Sequence, residues 1–77
     1  MISEEYPDLI ILDGFDEAII GVVERIGLLA VCYDRSKIIS ILMRDMNEEE
    51  AVEYYEFNIL GAYMGESSPV YLDAMPL

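Results

Sequence analysis

Ala18–Tyr33 reads AIIGVVERIGLLAVCY, and whether it is one helix or two strands decides the fold. AIIGVVE and LLAVCY are rich in Val and Ile, and Arg25–Gly27 lies between them with turn character. Read this way, the stretch is a β-hairpin of two mostly buried strands. The rival is a helix capped by Asp16 and stopped at Gly27, because Ile19, Val22, Val23 and Ile26 share a helical face. Gly21 weakens a helix interior, and β-branched residues favour strands. The hairpin is therefore the reading adopted.

Downstream, two helices carry clearer signals. Asp34 is placed to cap the first, with Ile38, Ile39, Ile41, Leu42, Met43 and Met46 recurring at three- and four-residue spacing. Ser36, Ser40 and Arg44 share its opposite face. Asn47 opens an N-x-x-E capping pattern closed by Glu50, and Glu48–Glu50 crowd the positive end of the helix dipole. Val52, Tyr55, Ile59, Ala62 and Tyr63 form the apolar stripe of this second helix, and Gly65 is its expected stop. Gly61 inside that stripe costs about 1 kcal/mol relative to Ala, which close approach of another backbone would explain. Val70–Leu72 follows as a short last strand. Upstream, LIIL at 9–12 ends in the turn dipeptide Asp13-Gly14, and its pairing with the next strand is open. Residues 1–8 are expected to form a flexible arm. The expectation is a single small α+β domain, a β-hairpin followed by two helices and a short C-terminal strand (β-β-α-α-β).

At 77 residues the chain has room for one core, and a core of that size usually needs a staple. The lone cysteine, Cys32, cannot form an internal disulfide, and its apolar neighbours suggest a buried thiol. With no histidine and one cysteine, a structural zinc site is effectively excluded. Oligomerisation is the remaining staple. Strong self-repulsion opposes it, so monomer and homodimer both stay open.

The formal net charge is −12, and the charge is segregated. All four bases (Arg25, Arg35, Lys37 and Arg44) fall in residues 25–44, between flanks holding acids and no base. Direct binding of nucleic acid would need clustered bases, which the flanks lack. The N-terminus has no basic leader, and no apolar run approaches a membrane span, so a soluble cytoplasmic protein is expected.

Chemistry-bearing patterns are sparse. Without histidine the usual general base and the Ser-His and Cys-His pairs are missing, and no glycine-rich phosphate loop is present. The expectation is a non-enzyme with no cofactor. Asp13-Gly14-Phe15-Asp16-Glu17 gathers three carboxylates about a glycine, yet lacks the spacing of a calcium loop and reads best as a solvated turn. Glu49, Glu53 and Glu56 share one helix face with no base beside them and repel one another mildly. Tyr54 and Phe57 project away from the core stripe on the same helix, as interface aromatics do. These five are the candidate partner-binding residues. Arg25, Arg35, Lys37 and Arg44 are the candidate anion-binding set.

DGFDEAIIGVVERIG (13–27), YDRSKIISILM (33–43) and EEAVEYYEFNILGAYMGESSPVYL (49–72) resemble a family of short accessory proteins of tailed bacteriophages. DGFDEAIIGV and EYYEFNILGAYMGE are the most specific stretches. The resemblance implies the cytoplasm of an infected bacterium as the setting and supplies no catalytic residue. Leu28-Leu29-Ala30 stands where the family has a longer, proline-containing connection, so the resemblance does not fix the second strand's register. Three functional expectations follow. The leading one is an accessory protein that binds and modulates a host or anti-phage defence protein with a basic surface, through its acidic, aromatic-bearing helix. The others are a dimeric sponge for a nucleotide-like signal and a structural or assembly part.

Overall fold

A computed structural model describes residues 9–62, 65 and 67–74. Strand β1 (Ile19–Arg25) pairs antiparallel with β2 (Leu28–Asp34), and two helices, α1 (Arg35–Leu42) and α2 (Glu48–Tyr54), follow. A π-helical turn (Tyr55–Leu60) extends α2, and β3 (Val70–Leu72) then adds to β2 in parallel. The sheet order is β1-β2-β3. The hairpin reading of 18–33 is therefore correct, as is the β-β-α-α-β order of a small α+β domain, but the strands are not mostly buried: only Val31 and Tyr33 of β2 are, because both helices cover one face of the sheet.

The hairpin closes more tightly than its sequence suggests. Arg25 pairs with Leu28, leaving Ile26 and Gly27 as the whole connection. Gly27 takes φ +78°, where a Cβ is strained, while Ile26 keeps a negative φ. A bulge between Ile19 and Gly21 inserts Ile20 against no partner and lets the edge strand twist.

Side-chain alternation gives the sheet an inner and an outer face. Val31 and Tyr33 of β2 point inward and are fully buried with Ala18, Ile38, Ala51 and Tyr55. Leu9, Leu12 and Phe15 pack on this core from the chain before β1. Residues 9–12 form no strand; the Leu12 N–H donates to the buried Tyr33 hydroxyl at 2.6 Å, holding the segment on the inner side.

Both expected caps form. The Lys37 N–H donates to Asp34 Oδ1 at 3.3 Å. At α2 the capping box is reciprocal, with the Glu50 N–H donating to Asn47 Oδ1 at 2.8 Å and the Asn47 N–H to Glu50 Oε1 at 3.1 Å. Helix α1 stops at Leu42, short of the apolar repeat, and tightens through Arg44 and Asp45 N–H bonds to the Ile41 and Leu42 carbonyls. Met46 still packs on the core from that connection.

The largest departure lies after α2. Ala51, Tyr55 and Ile59 are buried at four-residue spacing. In an ideal α-helix, four residues overshoot one turn by about 40° and such a line drifts around the helix. The wider π turn from Tyr55 counters this drift and returns Ile59 to the core. The turn closes at Gly61, whose N–H donates to the Glu56 carbonyl at 3.1 Å. A Cβ on Gly61 would lie 3.0 Å from that oxygen and 3.3 Å from the Phe57 oxygen. The crowding that favours glycine thus comes from its own preceding turn, correcting the expectation of a second backbone. The helix ends before Gly65, and Tyr63 and residues 1–8 lie outside the described residues.

Candidate functional site

The candidate partner surface is the outward side of α2 and its π turn. The capping box fixes where α2 begins, and burial of Ala51, Tyr55 and Ile59 fixes its rotation. Those constraints turn Tyr54 and Phe57 outward, leaving them 44% and 76% exposed. Glu53, Tyr54 and Phe57 line one groove of about 310 Å³ together with Met46, Glu50 and Asn58. Glu49 and Glu56 are exposed on the same helical segment but do not line it. The candidate set missed Met46, Glu50 and Asn58. Asn58 follows Glu50 and Tyr54 at i+8 and i+4, a helical spacing that would have placed it on this face.

No acid of α2 or its π turn forms an ion pair among the described residues. The two pairs there are Arg44–Glu17 at 3.1 Å, well exposed, and Arg35–Asp73 at 3.7 Å, in which Arg35 is half-buried. Exposed pairs of this kind contribute roughly 0–1 kcal/mol. The groove therefore carries Glu50 and Glu53 without a neutralising base, although Glu50 also serves the capping box. Apolar surface flanked by uncompensated carboxylates suits a basic, partly apolar protein surface.

The four bases do not form one patch. Arg25 ends β1 at the hairpin, whereas Arg35 starts α1 beyond the far end of β2. Seven residues of strand, about 23 Å, separate those ends. Arg44 is turned to Glu17, and Lys37 is exposed on α1.

Arg35 alone of this set sits beside the tyrosine cluster, its guanidinium carbon 5.2 Å from the centre of the Tyr55 ring. Together with Tyr55, Leu60, Pro69 and Tyr71 it lines an open cleft of about 500 Å³ at the edge of β3. Tyr71 stacks against Tyr33 at 6.1 Å and meets Tyr55 edge-on at 5.5 Å. Burial pushes the Tyr71 phenol up to about 12, reinforced by its two tyrosine neighbours. Tyr33 and Tyr55 are also raised, chiefly by burial, against the lowering effects of the Leu12 N–H and the Arg35 charge respectively.

The acidic turn at 13–17 opens outward: Glu17 reaches Arg44, and Asp13 and Asp16 are exposed. Among the described residues, no three Cys, Asp or Glu side chains gather where a metal ion could be held. Cys32 is half-buried on the outer sheet face, correcting the expected buried thiol. Its inward neighbours Val31 and Tyr33 take the core positions, and strand alternation turns Cys32 the other way. Among the described residues no helix is long and apolar enough to cross a membrane.

No family model matches the chain, and neither the curated proteins nor the solved structures contain a match to it.

Proposed function

We propose that this is a non-catalytic accessory protein that binds a protein with a basic surface through the acidic, aromatic face of α2 and its π turn. The observation carrying this reading is Phe57, 76% exposed on the π turn beside exposed Tyr54 and the unpaired Glu53. A large aromatic in water brings no folding benefit, whereas exposed aromatics in a groove serve as anchors. Enzymes that handle nucleic acid present basic grooves, and carboxylates on a rigid helix can occupy such grooves in place of phosphates. On the phage resemblance, the target is a host or defence protein of this kind in the bacterial cytoplasm.

The test is affinity capture from bacterial lysate, followed by competition with duplex DNA. Specific capture, displacement by DNA and loss of capture on Glu49→Gln/Glu53→Gln/Glu56→Gln and on Phe57→Ser, with circular dichroism unchanged, are the expected results. Capture indifferent to both variants refutes the assignment to this face.

The cleft at Arg35 favours a second reading, sequestration of a nucleotide-like anion. It joins one guanidinium to two tyrosine rings, a combination suited to a charged, planar ligand. Mass spectrometry of small molecules released by heating, with thermal shifts against a nucleotide panel, tests it. An empty spectrum and no shift refute it.

A further inference from the structure

The outer face of the sheet is apolar throughout its middle. On β2 it presents Leu28, Ala30 and Cys32; on β1, Gly21 and Val23 opposite Cys32 and Ala30; on β3, Val70 and Leu72. A sheet with one face in water ordinarily alternates apolar-in with polar-out. Here neither side of β2 carries a polar side chain from Leu28 to Cys32, so the sequence writes both faces as buried. Both helices pack on the inner side, and Val23, Val70 and Leu72 stand 41%, 38% and 48% exposed.

We propose that a second copy of this chain covers this face, the two sheets stacking face to face with their strands running in opposite directions. Charge gives the first argument. Arg25 shares this face at the hairpin end, whereas Asp34 shares it at the opposite end. Antiparallel stacking brings Arg25 of each copy over the Asp34 end of the other, so one contact is satisfied twice by the twofold. Shape gives the second. Small residues (Gly21, Ala30, Cys32) lie beside larger ones (Val70, Val23, Leu28) across and along the strands, so a stack offset along the strands sets the large side chains of one copy over the small ones of the other.

Area gives the third argument and sets the strength. Strands of seven, seven and three residues cover about 270 Å² of flat face at the usual rise and spacing. Side-chain relief raises this to roughly 400–500 Å² of accessible surface per copy, or about 800–1,000 Å² in total. That is the lower limit for a specific contact, and the dimer is of the weak, transient kind.

Sedimentation of the full chain from about 1 μM to about 1 mM tests this directly. The expected result is a monomer–dimer equilibrium that Ala30→Lys or Val70→Lys weakens by about tenfold or more, with circular dichroism retained, and that Phe57→Ser leaves unchanged. Arg25→Glu and Asp34→Lys each weaken the homodimer, and mixing these two variants restores it as a heterodimer, because both cross-pairs are then opposite in sign. Alkylation of Cys32 slows as concentration rises. A monomer throughout the range overturns the proposal. So does a dimer insensitive to both lysine variants but lost with Phe57→Ser, and so does a mixture that fails to restore association.

Discussion

Raising the pH into the alkaline range should unfold this domain through its tyrosine cluster. Tyr33 and Tyr55 are fully buried, and Tyr71 packs against both. All three phenols are raised in the folded state, Tyr71 to about 12, against an ordinary value near 10. A raised folded-state value means the native protein keeps its proton while the unfolded chain loses it. The stabilisation is fully present below about pH 10 and declines as pH rises towards the folded value. Tyr71 contributes a slope of about 1.4 kcal/mol per pH unit in this window. Tyr71 alone then removes up to about 2–3 kcal/mol between pH 10 and 12. A domain of this size has a stability of roughly 4–10 kcal/mol, so Tyr71 removes a large share of it, and the raised Tyr33 and Tyr55 add to the loss in the same direction. Far-UV circular dichroism and tyrosinate absorbance, followed together, provide the assay. Part of the absorbance should arrive cooperatively with the loss of ellipticity, and Tyr71→Phe should flatten the alkaline slope by one proton. A complete, reversible tyrosine titration with ellipticity intact to pH 12 refutes the reasoning.

Three further substitutions probe the fold. Tyr33→Phe removes the acceptor of the 2.6 Å bond from the Leu12 N–H and should cost about 1–2 kcal/mol in urea unfolding, with faster amide exchange at Leu12. Asn47→Ala breaks the capping box of α2 and should cost about 1 kcal/mol, read from the denaturation midpoint at unchanged m-value. Ala51→Leu forces a larger side chain into a fully buried site and should cost about 1–3 kcal/mol, against a change of a few tenths of a kcal/mol expected at a solvent-facing helix position.

The hairpin, both caps and the final strand were legible because each rests on local chemistry. Gly27 at the turn, Asp34 and Asn47 before their helices, and the β-branched run in β1 act within a few residues of themselves. The outward projection of Tyr54 and Phe57 was legible for a similar reason, since the capped start of α2 and its buried positions fix the rotation. What escaped was set by tertiary fit. The π turn brings Ala51, Tyr55 and Ile59 closer to one line than an α-helix does, and the apolar stripe, which α-helical spacing already gives, carries no sign of it. Helical structure also ends at Leu60, before the glycine stop expected at Gly65. Likewise, counting Arg25, Arg35, Lys37 and Arg44 as one positive segment ignored β2, which carries Arg25 and Arg35 to opposite ends of the sheet. The outward placement of half-buried Cys32 was hidden because both faces of β2 are written in apolar residues.

Segregated charge and a double-faced apolar sheet have one physical consequence in common. A chain of net charge −12 resists self-association unless its acids are kept away from the contact. Here the acids of α2 lie on the helical layer, beyond the inner face of the sheet, while the outer face holds none in its middle. Two sheets stacked about 10 Å apart, each backed by a helical layer of similar thickness, separate the two α2 faces by roughly 30 Å. That is several times the screening length of about 8 Å at physiological salt, so the helices scarcely repel one another. The two proposed surfaces should therefore respond differently to ionic strength. Capture of a basic partner through Glu49, Glu53 and Glu56 should weaken severalfold between about 0.05 and 0.5 M salt, whereas self-association through apolar Val23, Ala30 and Val70 should change little. Equal salt sensitivity in sedimentation and in partner capture would place both contacts on charged surfaces and remove the apolar sheet face from the account.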